Sequence, residues 1–184
     1  RRRAAIARGT LTELKAIWRS REIGRGIKRR LFVTLILSIM LYNAETWTLS
    51  QNEKKFLAGT YAHMARFAMG EKRKQTAEGK WESTNSFLER HRLERIDRII
   101  ARKKASWIGH FMRGNDIVFK NEMLRLREEK NKWWTQCREE FAKFGANIDK
   151  VFEAASLERS QSAITIQKMF GIPGRTVGPQ PSNA

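Results

Sequence analysis

Two rows of cationic side chains are the feature of this sequence best suited to chemistry. At roughly 100° per residue, Arg8, Lys15 and Arg19 fall within about 40° of one another on a first amphipathic helix, opposite Ile6, Leu14 and Ile17. Arg95, Arg98, Arg102 and Arg113 share one side of a later helix, with Leu93, Ile96, Ile100, Trp107 and Phe111 on the other. A guanidinium forks onto phosphate oxygens and stays charged in any usable buffer, so such rows can follow a nucleic-acid backbone. Arg25, Lys28 and Arg29 form a further basic group, and Trp81, alone in a polar stretch, is a candidate to stack on a base. A charged row is also the wet face of any amphipathic helix, so one alone decides little. Two rows on one strongly basic chain favour a polyanion.

The other reactive residue types are dispersed. His63, His91 and His110 have no companion at metal-ligand spacing, and Cys137 lies four residues from both Trp133 and Phe141, a core position on a helix. Of the three aspartates, Asp97, Asp116 and Asp149, none is adjacent to another acid, and there is no glycine-rich phosphate loop. Two-metal phosphoryl transfer needs clustered carboxylates. The expectation is therefore a chain without metal or cofactor that binds rather than catalyses.

The elements that must position these residues are set by length and pattern. The 184 residues suit one domain or two small ones, and 41% hydrophobic with 10% aromatic content is enough for a packed core. A net charge of +18 repels itself unless a polyanion is near, which makes nucleic acid the first partner to consider and an anionic membrane surface the second. The longest nearly apolar run, Leu31 to Tyr42, falls short of the roughly 20 residues a membrane span requires. All three prolines lie beyond Gly171, so the body can be helical throughout.

The expected fold is all-α. A first helix carries Ile6, Thr10, Leu14, Ile17 and Trp18 inward, and a second runs from Ile27 to about Trp47. A third, capped by Ser50-Gln51-Asn52-Glu53, runs to Met69 with Gly70 as its stop and Phe56, Leu57, Tyr61, Met64 and Phe67 facing the core. A polar loop over 71–85 then divides a three-helix lobe (1–70) from a second helical lobe (86–170), which opens with a long helix from Leu93 to Met112. Shorter helices are predicted at Asp116 to Leu126, Asn131 to Phe144, Asn147 to Ala155 and Leu157 to Phe170, followed by an extended Pro/Gly-rich tail, 171–184.

Several stretches, in their present order, resemble the region that follows the catalytic palm in reverse transcriptases of non-long-terminal-repeat retrotransposons. Ala16-Ile17-Trp18-Arg19-Ser20-Arg21 with Lys28-Arg29-Arg30-Leu31-Phe32 resembles the thumb opening, and Leu41-Tyr42-Asn43-Ala44-Glu45-Thr46-Trp47 is similar to a Tyr-Gly-x-Glu-Thr-Trp segment. Met64-Ala65-Arg66-Phe67-Ala68-Met69-Gly70, Ser106-Trp107-Ile108-Gly109-His110-Phe111-Met112-Arg113 and Trp133-Trp134-Thr135-Gln136-Cys137 continue the likeness, which covers about residues 4 to 165. Asn43 replaces the family's glycine, and Glu128-Glu129-Lys130-Asn131-Lys132-Trp133 stands where a basic loop is usual. The likeness begins after the palm aspartates.

The resemblance implies a thumb-like helical bundle that grips RNA or an RNA-containing duplex. Two histories are open: a domesticated structural subunit of a large ribonucleoprotein, packed among neighbouring proteins, or the C-terminal template-primer-binding piece of an active element. The arginine-rich start without Met fits a chain that has lost an import presequence, so an organellar ribosome in the mitochondrial matrix is the expected setting, with the nucleus as alternative. A module docking on proteins or membrane surfaces through amphipathic helices is the competing class.

Overall fold

The computed structural model describes residues 1–75, 77–129, 131–155, 157 and 159–170, so the expected tail over 171–184 lies outside the described residues. The fold is all-α. Among the described residues, strand-like pairing is limited to one isolated antiparallel bridge, Gln75 to Trp81, and no helix is long and apolar enough to cross a membrane.

Helix α1 (Arg2–Glu13) buries Ala4, Ala7 and Leu11, whereas Ile6 is left 44% exposed. The expected Ile6 face is thus rotated. Alanines three residues apart allow close approach of the helix axis to its neighbours, and the bulk is supplied by Trp18 on α2 (Lys15–Arg19). Its buried indole N–H donates to the Leu11 carbonyl at 2.8 Å. The second predicted helix is present but shorter: α3 (Arg25–Leu31) passes through a π-helical turn, Phe32–Ile36, into α4 (Leu37–Met40). Within that wider turn Thr34 Oγ1 donates to the Arg30 carbonyl at 2.9 Å, and Ser38 Oγ to the Thr34 carbonyl at 2.7 Å. Such hydroxyls compete for backbone acceptors and accompany local helix distortion. The chain then breaks at Asn43, whose φ of 60° lies in the left-handed region that glycine and asparagine enter at least cost.

Helix α5 (Gln51–Met69) starts on the expected capping box, with Ser50 N–H donating to Glu53 Oε2 at 2.8 Å and Glu53 N–H to Ser50 Oγ at 3.3 Å. It stops at Gly70, where φ is 68°. Leu57, Tyr61 and Met64 are buried as expected, but Phe56 and Phe67 are 43% and 37% exposed, because α5 is covered on one side only. The polar stretch ends earlier than anticipated, in α6 (Thr84–Arg90), capped by Ser83. The long helix is α7 (Ile96–Arg113), followed by α8 (Ile117–Glu128), α9 (Lys132–Ala142), α10 (Ile148–Ala155) and α11 (Arg159–Met169).

Two hydrophobic cores result, and they meet inside α7. The first gathers Leu11, Trp18, Phe32, Met40, Tyr61, Phe87, Leu88, Leu93, Ile96 and Ile100, and the second Ala105, Ile108, Phe111, Trp134, Cys137, Phe141, Val151 and Phe170. The division expected at 71–85 is therefore corrected. Residues 84–100 belong with the first core because Phe87, Leu88 and Leu93 have their apolar partners there.

Polar groups tie the two cores together. Gln136 on α9 accepts from the Leu49 N–H at 2.9 Å and donates to the Leu49 carbonyl at 2.6 Å, while the Trp133 indole donates to the Glu45 carbonyl at 2.9 Å. Beneath them Lys104, fully buried, donates to Glu140 Oε2 at 2.9 Å, and Glu140 also meets Lys54 at 3.0 Å. The Glu45–Leu49 stretch is thus a clamp between halves.

Candidate nucleic-acid interface

The second predicted cationic row is taken up by its own surroundings. Arg95 forks onto Asp97 at 3.1 and 2.6 Å, and Arg102 donates at 3.0 Å to Glu94, whose side chain is only 8% exposed. Arg113 donates to the Ala155 carbonyl at 3.2 Å and to Ser162 Oγ at 2.7 Å, which ties α7 to the last two helices. The Arg98 guanidinium lies over the Phe144 ring, 5.1 Å from its centroid. Each of the four thus has a partner within the chain, although Arg95 leaves 51% and Arg102 37% of its side chain exposed. Lys28 is corrected: it is buried, with Nζ donating to the Ser20 carbonyl at 2.8 Å.

The first row remains open to solvent. Arg8, Lys15 and Arg19 are exposed, and no ion pair joins them to any described residue. The helix is interrupted at Leu14, where φ is −83° and ψ 17°, so Arg8 and the later pair belong to different helical segments. Three more arginines follow on α3, Arg25 being exposed, Arg29 half-buried and Arg30 exposed around the inward Lys28.

Tertiary packing lays α3 along a second basic segment that sequence reasoning had not joined to it. Arg29 donates to the Arg92 carbonyl at 3.4 Å, and Arg25 lies 3.7 Å from Glu71. Glu71, 8% exposed, also meets Arg90 at 2.9 Å, His91 at 3.2 Å and Lys74 at 3.8 Å. Glu82, 9% exposed, accepts from Arg66 at 3.4 Å and from both Arg90 terminal nitrogens, one of them at 3.2 Å from Oε2. Two carboxylates thus serve several cations, leaving the segment positive. Lys72, Arg73 and Arg92 are exposed on it, and so is Trp81 at 54%, with the Arg73 guanidinium 5.5 Å from its ring centroid. The Lys72-Arg73-Lys74 run beside Trp81 was the available signal. Its pairing with α3 was not, since about fifty to sixty residues intervene.

Both carboxylates titrate below their ordinary range. At Glu82 the Arg90 hydrogen bonds dominate over burial, and at Glu71 burial pushes the other way but is outweighed by His91 and Arg90. The unfolded chain then binds protons first, so the stabilisation is complete above the unfolded value of about 4.3 and is lost as pH falls through the lower folded values. The Glu82 N–H donates to the Lys74 carbonyl at 2.9 Å and reports on this region. Its hydrogen-exchange protection factor should be flat from pH 7 to about 5 and fall below about 4. Protection unchanged at pH 3 would contradict the ionic attachment.

Cys137, Asp116 and Asp149 have structural roles. Cys137 is fully buried, and burial pushes its thiol up to about 12, so it is protonated and inert at neutral pH. Asp116 caps α8 by accepting from Phe119 N–H at 2.9 Å, and Asp149 accepts from Arg127 at 2.6 Å. His63 and His110 are exposed and His91 is buried beside Glu71. Among the described residues no three His, Cys, Asp or Glu side chains converge as metal ligands would. Of the six tryptophans, Trp18 and Trp134 are fully buried, and Trp107, Trp133 and Trp134 make tilted and edge-on ring contacts among themselves, Trp107 also with Phe111 and Phe119 and Trp134 with Phe111.

Comparison of the chain with family models, curated proteins and solved structures finds no match.

Proposed function

We propose that this chain is a non-catalytic RNA-binding protein, related to the thumb region of a retrotransposon reverse transcriptase, that serves as a structural subunit of a large ribonucleoprotein such as an organellar ribosome. The observation that carries the reading is the open cationic surface of the first core. Arg8, Lys15 and Arg19 have no acidic partner among the described residues, and Arg25 and Arg29 adjoin the basic 72–92 segment. Residues 1–30 hold eleven bases and two acids, too few to neutralise the surface internally. Lys and Arg side chains spread over several elements suit phosphate contacts with little base readout.

Support for the relationship comes from Asn43. The backbone at this position, where the resembled family carries glycine, adopts a positive φ. Asparagine is the substitution that such a conformation tolerates best.

Salt titration tests the proposal. Binding to a blunt RNA duplex should weaken linearly on a log-log plot, with a slope of roughly −0.9 per phosphate contact as for duplex DNA. Affinity unchanged between about 50 and 200 mM salt would place the chain among apolar docking modules instead.

A further inference from the structure

Residues 71–75 fold back against residues 77–82 as a short hairpin whose two ends are fastened by one side chain. Arg90 on α6 donates to Glu71 at the start and to Glu82 at the end, and Arg66 on α5 adds a second hold on Glu82. Between these anchors the Gln75–Trp81 bridge and the Glu82 N–H to Lys74 carbonyl bond close the turn, with Gly79 at φ 74°. Lys72, Arg73, Lys74 and Lys80 are exposed on this hairpin, and Trp81 stands among them. An indole left 54% exposed costs hydration that folding would ordinarily avoid, and the Arg73 guanidinium lies 5.5 Å from its ring centroid.

We propose that this hairpin is a preformed reader of duplex–single-strand junctions, in which Trp81 stacks on an unpaired RNA base while Lys72, Lys74 and Lys80 contact the flanking phosphates. The inference deepens the RNA-binding reading and rests on it. An exposed indole on a segment rich in lysine and arginine matches a nucleobase between phosphates. A protein partner would want the indole ringed by apolar side chains. Arg90 is a positioning residue: it holds the hairpin's base through Glu71 and Glu82, while Lys72 has no ion-pair partner among the described residues and Lys74 and Lys80 keep only surface pairs, with Glu71 at 3.8 Å and Glu78 at 3.4 Å.

The test compares two RNA probes, a blunt duplex and the same duplex with a three-nucleotide single-stranded overhang carrying 2-aminopurine at the junction. The overhang probe should bind about tenfold more tightly, as one base stack contributes, and its 2-aminopurine emission should be quenched on binding. Trp81→Leu should abolish both the preference and the quenching, Trp81→Phe should keep most of both, and neither should change affinity for the blunt duplex. Arg90→Lys, which keeps the charge but loses the fork, should reduce the preference and leave the blunt-duplex salt slope as it was. Tight, salt-dependent binding with equal affinity for both probes, or a preference that survives Trp81→Leu, overturns the junction proposal alone. Failure of both probes to bind at low salt overturns the RNA-binding reading and this inference together.

Discussion

Glu140→Leu is expected to lower the unfolding free energy by about 3–5 kcal/mol, because it leaves the ammonium of Lys104 buried with no counter-charge. Lys104 has no exposed surface at all, and its other polar contact, Gln136 Oε1 at 3.5 Å, is long and already accepts from the Leu49 N–H. The reciprocal change, Lys104→Met, should cost less. Glu140 then keeps Lys54 at 3.0 Å, and that lysine retains access to water with 20% of its side chain exposed. The double variant with both changes should recover most of the loss, since apolar groups of similar volume remove the desolvation cost of both ions together. Urea unfolding at pH 7 separates these cases, and equal losses for the two single variants would refute the asymmetry. The site matters to the whole molecule because Lys104 lies where the two cores meet.

Arg8→Glu, Lys15→Glu and Arg19→Glu combined should produce the largest loss of RNA binding. Each phosphate contact removed should make the log-log salt slope shallower by about one unit, so the triple variant should differ from the parent by about three. Stability should change little, because none of the three has an ion-pair partner among the described residues. The same treatment of Arg95, Arg98 and Arg102 should do the reverse. Asp97 and Glu94 would face like charges, Glu94 with only 8% of its side chain exposed, and the Phe144 ring would lose the guanidinium above it. Thermal unfolding measured beside the salt titration distinguishes the two rows. A steep loss of RNA affinity from the second set, with an unchanged melting temperature, would restore the interface to α7.

Much of the local architecture could be read from the chain. The Ser50–Glu53 box and Gly70 bounded α5, Cys137 was placed in a core, and the helices after Gly114 were each located to within a few residues. These features depend on neighbours three or four residues apart, which a helix brings together whatever surrounds it. The inward face of α1 was misjudged for the opposite reason. A helix turns its larger apolar residues inward only when space allows, and here the alanine face came closest to its neighbours while Ile6 stayed outside.

The excess of positive charge, the all-helical character and the absence from this sequence of a glycine-rich phosphate loop follow from residue types alone, because they are sums or short patterns. Which cations are free is a different kind of property. Arg102 and Glu94 are close in sequence, yet Arg113 is held by Ser162, Arg25 by Glu71 and Lys104 by Glu140, partners 36 or more residues away. Coulomb attraction depends on distance and on the water between the charges, and only the packed chain fixes either one. Two rows that looked alike on a helical wheel therefore came apart in the fold, one without an ion-pair partner among the described residues and the other held by neighbouring side chains.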